Sequence, residues 1–256
     1  MRTVSRLSVA PVKSLGLQHP ERIRLEPWGV PGNRAFYLID GDGRLFAGSK
    51  HGPLVRVGAA YDATDCHLSL RFPDGCLVEG RPEATGAPVE TDFYGRPVPG
   101  RIVEGPWAEA LSAYVGRPVR LVRPDREGDA NDVWPVSLLS IASAEELARR
   151  SGKPQPLDSR RFRMLIEMDG CSAHEEDTWV GRDVRVGGAT LRVPGAIPRC
   201  VVTTQDPSTG VRDFATLKEI SRYRVVRNRN VPFGVYGEVL EPGDVRVGDP
   251  VEPPAA

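Results

Sequence analysis

The chain has 256 residues, 40% of them hydrophobic, which is enough for one large domain or two small ones with cores of their own. Its 34 basic and 34 acidic side chains cancel, so no net field draws it to nucleic acid or to an anionic membrane, and any anion binding must come from local basic clusters. No stretch approaches the roughly 18 consecutive apolar residues of a membrane-crossing helix, the opening MRTVSRLSVAPVKSL lacks the unbroken apolar run of a secretory leader, and the four cysteines at 66, 76, 171 and 200 show neither a CxxC pair nor zinc-like spacing. A cytoplasmic protein is expected.

Along the chain, 27 glycines and 24 prolines punctuate short runs of Val, Leu, Ile and Arg, the texture of many short strands and turns. RIRLEP (22–27), AFYLID (35–40), LVRVGA (54–59), HLSLRF (67–72), RPVRLVR (117–123), DVRVGG (183–188), ATLRVP (189–194) and VRVGDPV (245–251) alternate or nearly alternate apolar with polar residues. Half-buried strands of that kind close well into barrels. Gly41-Asp42-Gly43 and Gly187-Gly188 mark tight hairpin turns, since glycine accepts positive φ. Three helices are predicted, over 106–116 with Pro106 in the first turn, from Ser143, and from Thr216. The last two open on capping boxes, Ser143 with Glu146 and Thr216 with Glu219. The fold class is therefore mainly β: two packed β-barrel-like units with a few short helices, the first over residues 1–100 and the second over 101–256. PDREGDANDVWP (124–135) is a polar surface loop inside the second unit, of a length that often carries function.

Several residues carry chemistry. PRCVVTTQDPSTG (198–210) sets a single thiol, Cys200, beside Arg199 and ahead of Thr203 and Thr204. A neighbouring guanidinium favours the thiolate, the form that attacks electrophiles and binds soft metals, whereas in a Val-rich strand the same residue is a small buried hydrophobe. Both readings stand on local chemistry. Lys13 and Ser14 join an ammonium and a hydroxyl at a turn with open backbone N–H groups, which makes either an anion site or a solvated lysine. Arg160, Arg161 and Arg163, crowded ahead of an apolar strand, suit bidentate phosphate binding or form a solvated patch facing Asp158, Glu167 and Asp169. Asp206 and Thr209 flank Pro207 next to the Cys200 strand, placed to position solvent or substrate or simply to build a turn. Ser143 reads as a plain helix cap. His174 reads as an exposed loop residue, with a proton shuttle or hard-metal ligand as the alternatives in its acidic company. Cys171 has no basic activator, and nothing matches a nucleophile elbow, a P-loop or a dinucleotide fingerprint.

The Cys200 segment, RFRMLIEMDG (161–170), EEDTW (175–179) and VRVGDPV (245–251) resemble the MOSC domain family, which takes in proteins similar to the C-terminal domain of molybdenum cofactor sulfurase and to the mitochondrial amidoxime-reducing components. VSRLSVAPVKSLGLQ (4–18) and NRAFYLID (33–40) are similar to that family's N-terminal β-barrel domain. The resemblance implies a molybdenum–molybdopterin cofactor, one that purification can strip, with Cys200 as protein ligand to the metal. It implies that Lys13 and Ser14 hold the pterin phosphate and that Arg34, preceded by Asn33 instead of the usual acid, is a second contact. Ser137, Ser140 and Ser143 are the candidates from VSLLSIASAEEL (136–147), of which Ser140 is assigned to the cofactor, together with Arg160, Arg161, Arg163, Arg199 and Thr203. Asp206 and Thr209 then join Cys200 as catalytic candidates.

Leu165 stands where many members of the family carry an asparagine near the metal, and leucine donates no hydrogen bond. This departure bears on the reduction of N-hydroxylated compounds more than on cofactor binding. The implied function is an oxidoreductase acting on small N- or S-oxygenated compounds at the junction of the two units. Its electrons are expected from a separate protein, because these residues contain no four-cysteine cluster for an iron–sulfur centre. Two other classes remain, a sulfur or persulfide carrier working through Cys200 and a carrier of the cofactor without catalysis.

Overall fold

The computed structural model describes residues 1–152, 156–226, 228 and 230–253. The first half of the chain forms β1 (Thr3–Leu7), β2 (Arg22–Leu25), β3 (Tyr37–Asp40), β4 (Gly58–Asp62), β5 (His67–Arg71), β6 (Leu77–Gly80), β7 (Pro88–Asp92), β8 (Pro97–Ile102), helix α1 (Trp107–Val115) and β9 (Val119–Pro124). The second forms β10 (Val136–Ser140), α2 (Ile141–Arg150), β11 (Ile166–Asp169), β12 (Asp183–Val186), β13 (Ala189–Arg192), β14 (Ala196–Arg199), α3 (Thr216–Ser221), β15 (Val231–Glu241), β16 (Gly243–Arg246) and β17 (Val251–Glu252). The fold is mainly β, with three short α-helices among the described residues.

One sheet runs β1-β11-β10-β15-β13-β12-β17, with β14 also against β15. A bridge between Thr3 and Pro250 brings its two ends together, so this sheet is a nearly closed barrel. β10 and β11 are parallel and the other pairs antiparallel. β3-β9-β8-β7 and β4-β5-β6 form an open half-barrel closed off by α1. Trp107 and Leu111 anchor that helix in the core, and Gly116, at φ 72°, ends it in the left-handed turn that glycine accepts without strain. The first strands do not belong to the half-barrel. Val4, Leu7, Ile23 and Leu25 share a core with Val136, Ile166 and Leu191, and β2 pairs with β16. The chain thus starts in the barrel, dips into the half-barrel core at the PVKS turn through Val12 and Leu15, returns to the barrel core in β2, and then builds the half-barrel up to β9.

The structure corrects five local expectations, the first being VRVGDPV, which a turn at Val247 and Gly248 divides between β16 and β17. LVRVGA is not one strand: Gly52–Arg56 form a 3-10 turn and β4 begins at Gly58. β3 does not alternate, because it is covered on both faces, Leu38 by one core and Tyr37 and Ile39 by another. α2 starts earlier than expected, with Ser140 as the cap, its Oγ accepting from Ser143 N at 3.1 Å. Ser143 is not the cap, and its predicted partner Glu146 instead pairs with Arg149 and Arg150. Likewise Thr216 makes no capping box with Glu219: its Oγ1 donates inward to Thr203 O at 2.6 Å, while Glu219 pairs with Arg222. In both cases a buried polar demand outcompeted the local motif. No described helix is long and apolar enough to cross a membrane.

Candidate functional site

Two segments of the N-terminal half run side by side and place the first two cations. Lys13 N donates to Phe36 O at 2.8 Å, Phe36 N to Pro11 O at 3.1 Å, and Arg34 N to Ala10 O at 2.7 Å. Asn33 has a job of its own here, since its Oδ1 accepts from Ala10 N at 2.9 Å and so fixes the turn from which Arg34 projects. Lys13, only 7% exposed, donates to Ala130 O at 3.0 Å and to Asp132 Oδ1 at 2.8 Å. Arg34 reaches the other oxygen of Asp132 at 3.2 Å. The polar loop between β9 and β10 therefore delivers the carboxylate that bridges both cations.

Arg163 arrives from the barrel side. It ends the 3-10 turn Ser159–Phe162 and donates through Nη2 to Leu15 O at 2.7 Å, across the junction. Burial, then the Arg34 and Arg163 charges, pull the Lys13 ammonium down to about 8 against the opposing pull of Asp132. Burial would raise the Asp132 carboxyl, but Lys13, Arg34 and Arg163 together hold it far below the ordinary carboxylate range. Arg163 itself is lowered to about 10 by burial and by Arg34. A cluster so rich in desolvated cations is costly unless an anion joins it.

Cys200 lies at the end of β14 with its side chain exposed and unbonded to another cysteine. The guanidinium of Arg199 points back into the barrel, donating to Phe233 O at 2.6 Å and Phe162 O at 3.1 Å. Burial lowers Arg199 to about 10, opposed by Tyr236, Cys200 and Asp132. The phenols of Tyr94, on the half-barrel, and Tyr236, on β15, are both raised, first by burial and then by the charges of Asp132 and Cys200, while Arg34 opposes. Lys13, Arg34, Asp132, Arg163, Arg199, Cys200 and the two tyrosines thus occupy one electrostatic neighbourhood built from both units.

Backbone strain marks the same place. Among the described residues seven non-glycines have positive φ, and Ser14 (77°), Arg34 (52°), Tyr94 (57°) and Arg163 (52°) are four of them. Each costs about 1–2 kcal/mol over an ordinary conformation, and such strain collects at functional sites.

The other candidates are placed differently. Arg161, 3% exposed, meets both oxygens of Asp213 at 3.0 and 3.1 Å and the carbonyls of Thr203 and Gln205. Arg160 pairs with Asp158 and Ser208 at the surface. Thr203 Oγ1 bonds Cys200 O at 3.0 Å, closing the turn that follows the thiol. Asp206 Oδ1 accepts from Ser208 N, Thr209 N and Thr209 Oγ1, all within its own turn. Ser140 is buried as the cap of α2, and Ser137 Oγ accepts from Leu165 N at 2.9 Å. Leu165, 4% exposed, packs in the barrel core with Val4 and Leu7. His174 is half-buried, its ring 5.5 Å from that of Phe233 and 5.6 Å from that of Tyr223. A cleft of about 370 Å³ lies on the barrel wall between Arg6, His19, Glu21 and Glu167, away from the cation cluster, and lacks its convergence of charge.

Sequence reasoning missed Asp132, Tyr94 and Tyr236. The first sits in the polar loop singled out above, and its signal was an acid beside aromatic and apolar residues in an otherwise solvated run. No pattern signalled the tyrosines, because only tertiary structure brings 94, 132, 200 and 236 together.

The family model described as the MOSC domain matches residues 125–252, and that described as the MOSC N-terminal beta barrel domain matches residues 1–118. The chain is 28% identical to mitochondrial amidoxime reducing component 2 of Bos taurus over 97% of its length and 82% of that protein's. It is 27% identical to mitochondrial amidoxime-reducing component 1 of Homo sapiens, again over 97% of this chain and 82% of that one. A solved structure, the YUAD protein from Bacillus subtilis, aligns over 98% of this chain and 95% of its own with 14% identity and a TM-score of 0.45.

Proposed function

Because the chain belongs to the MOSC domain family and carries that family's N-terminal β-barrel domain, we propose that it binds a molybdenum–pterin cofactor at the Lys13–Asp132 cluster and reduces small N- or S-oxygenated compounds. The observation that carries this reading is the meeting of Lys13 and Arg34 on the Asp132 carboxylate, with Arg163 reaching Leu15 O from the barrel side and an exposed thiol nearby. Three positive charges, those of Lys13, Arg34 and Arg163, act on the one negative charge of Asp132. The excess of two is what a phosphate monoester, at about −2, neutralises.

Lys13 and Arg34 would hold the phosphate, with Ser14 donating from the adjacent turn, and Arg163 would clamp it from the barrel side. Asp132 keeps both half-barrel cations oriented while no more than one of their charges is cancelled. Cys200 would supply the soft ligand that molybdenum prefers, and its exposure leaves the outer side of the site open to substrate. When bound, the cofactor supplies two-electron oxygen-atom transfer, which no side chain present can perform. Thr203 holds the backbone that aims Cys200, and Asp206 and Thr209 stiffen the next turn, so we assign these three to positioning.

The names of the mitochondrial relatives favour an amidoxime as substrate class, and electrons would come from a separate donor protein. All four cysteines are free thiols, which suits the reducing cytoplasm. The test is turnover: protein from a host that makes the cofactor, supplied with an artificial electron donor, is expected to reduce an amidoxime or an N-oxide. Molybdenum-loaded protein that reduces neither contradicts the catalytic part of the reading.

A further inference from the structure

The tip of the β7–β8 hairpin carries an aromatic side chain that the fold has no use for. Tyr94 is 72% exposed, while its neighbour Phe93 is buried against Tyr37 with ring centroids 5.0 Å apart. The turn around Tyr94 is pinned from several directions. Phe93 N donates to Arg96 O at 2.8 Å, Gly95 N to Asp92 Oδ1 at 2.8 Å, and Arg96 Nη2 to Asp129 O at 2.7 Å and Asn131 O at 2.8 Å. The last bond ties the tip to the residue before Asp132. Lys13 Nζ lies 5.3 Å from the centre of the Phe93 ring. The hairpin tip is thus built directly onto the Lys13–Asp132 pair.

Tyr94 also sits at φ 57°. A tyrosine in that conformation is costly, and an exposed turn with no other demand would take Asn or Gly there. The charges of Asp132, Cys200 and Arg34 act on its phenol as they act on that of Tyr236, which projects from the opposite unit. Val133, next to Asp132, is a second large apolar side chain left open, at 64% exposed. A ring on a rigidly tied turn and an apolar side chain beside Asp132 are therefore both open to solvent.

We propose that Tyr94 is a specificity-determining substrate contact, whose ring lies against an aromatic substituent of the N-oxygenated substrate while Val133 packs beside it. This rests on the reductase reading above and narrows it to aromatic amidoximes and related flat N-hydroxylated compounds over their aliphatic counterparts. Flat rings gain from offset or edge contact with tyrosine, whereas a methyl group gains little.

The experiment uses molybdenum-loaded wild type, Tyr94→Ala and Tyr94→Phe, titrated calorimetrically with benzamidoxime and with acetamidoxime, followed by reduction kinetics on both. Tyr94→Ala is expected to weaken benzamidoxime binding by about threefold to tenfold, the range a ring-to-ring contact is worth, with KM rising to match. Acetamidoxime binding should stay unchanged, which also shows that the variant is folded, and Tyr94→Phe should keep both affinities. Equal weakening of both compounds, or no change in either, overturns the assignment while leaving the reductase reading in place. Wild type that carries molybdenum and binds neither compound removes the reductase reading and this inference with it.

Discussion

Lys13 and Asp132, 119 residues apart, meet at 2.8 Å where the half-barrel touches the loop leading into the barrel. The pair holds a buried ammonium in the company of Arg34 and Arg163, so the carboxylate is the counterweight that lets three cations share one place.

Asp132→Asn keeps the shape and removes the counterweight. The variant is expected to lose about 1–3 kcal/mol of stability, less than a fully buried pair would because the Asp132 side chain is 43% exposed. The Lys13 pKa should fall further below about 8. Lys13 has a folded pKa below its unfolded value, so its penalty applies at neutral pH and is relieved as pH rises past about 8. The stability gap between variant and wild type should therefore narrow above that pH. Urea unfolding at pH 7 and pH 9, with the Lys13 titration followed by NMR, checks both statements.

The three arginines of the RRFR run are expected to separate. Arg163→Ala should cost most of the bound molybdenum, because it removes the cation that reaches Leu15 O across the junction and acts on Lys13 and Asp132. Arg161→Ala should act on folding instead, because it removes a buried guanidinium that Asp213 and the carbonyls of Thr203 and Gln205 share, at about 1–3 kcal/mol. Arg160→Ala, which breaks a half-exposed pair, should cost about 1 kcal/mol or less. Thermal unfolding and metal content of the three purified variants distinguish these outcomes.

Glu176 is fully buried, with one oxygen accepting from Ser143 Oγ at 2.8 Å and the other without a partner among the described residues. Burial is the main cause that lifts its carboxyl to about 6, with Asp177 adding to it and Ser143 opposing. An acid raised in the folded state contributes stability below its unfolded pKa and loses it as pH climbs through the folded one. Glu176→Gln should therefore stabilise the protein by about 1–2 kcal/mol at pH 7.5 and by nothing near pH 4. Equal stability of the two proteins at pH 7.5 would count against a charged, buried Glu176.

Gly52 and Gly210 clamp the two units. A Cβ on Gly52 would lie 2.0 Å from Gly210 O, a backbone atom that cannot swing aside. Gly52→Ala is expected to lose roughly 1–3 kcal/mol or more and to loosen the junction that Gln205 spans by its 2.9 Å bond to Gly48 O. Gly41→Ala, with nothing within 4 Å, is the neutral control.

Much of the fold was legible in the sequence because its signals are short-range: alternation marked β2, β5, β9, β12 and β13, and Gly187-Gly188 marked their hairpin turn. What failed were local motifs with buried competitors, as at Ser143, whose hydroxyl answers Glu176 and leaves the cap to Ser140. β3 misled because two cores cover it. At the site, residue type pointed to Lys13, Arg34 and Cys200, but three adjacent arginines look alike in one dimension. Only the left-handed turn at Arg163 sends its guanidinium to the junction, while Arg161 turns inward to Asp213.

The central claim is that Cys200 and the cations around Asp132 hold a molybdenum–pterin cofactor. The most direct measurement is molybdenum and pterin content of wild type, Cys200→Ser and Cys171→Ser purified from a host that makes the cofactor. A serine keeps the size of cysteine but offers a hard hydroxyl in place of a soft, ionisable sulfur. Wild type and Cys171→Ser should carry equal molybdenum, and Cys200→Ser should carry far less while remaining folded. Equal molybdenum in wild type and Cys200→Ser would remove Cys200 as an essential ligand, and no molybdenum in any of the three would contradict the cofactor reading and favour a sulfur carrier.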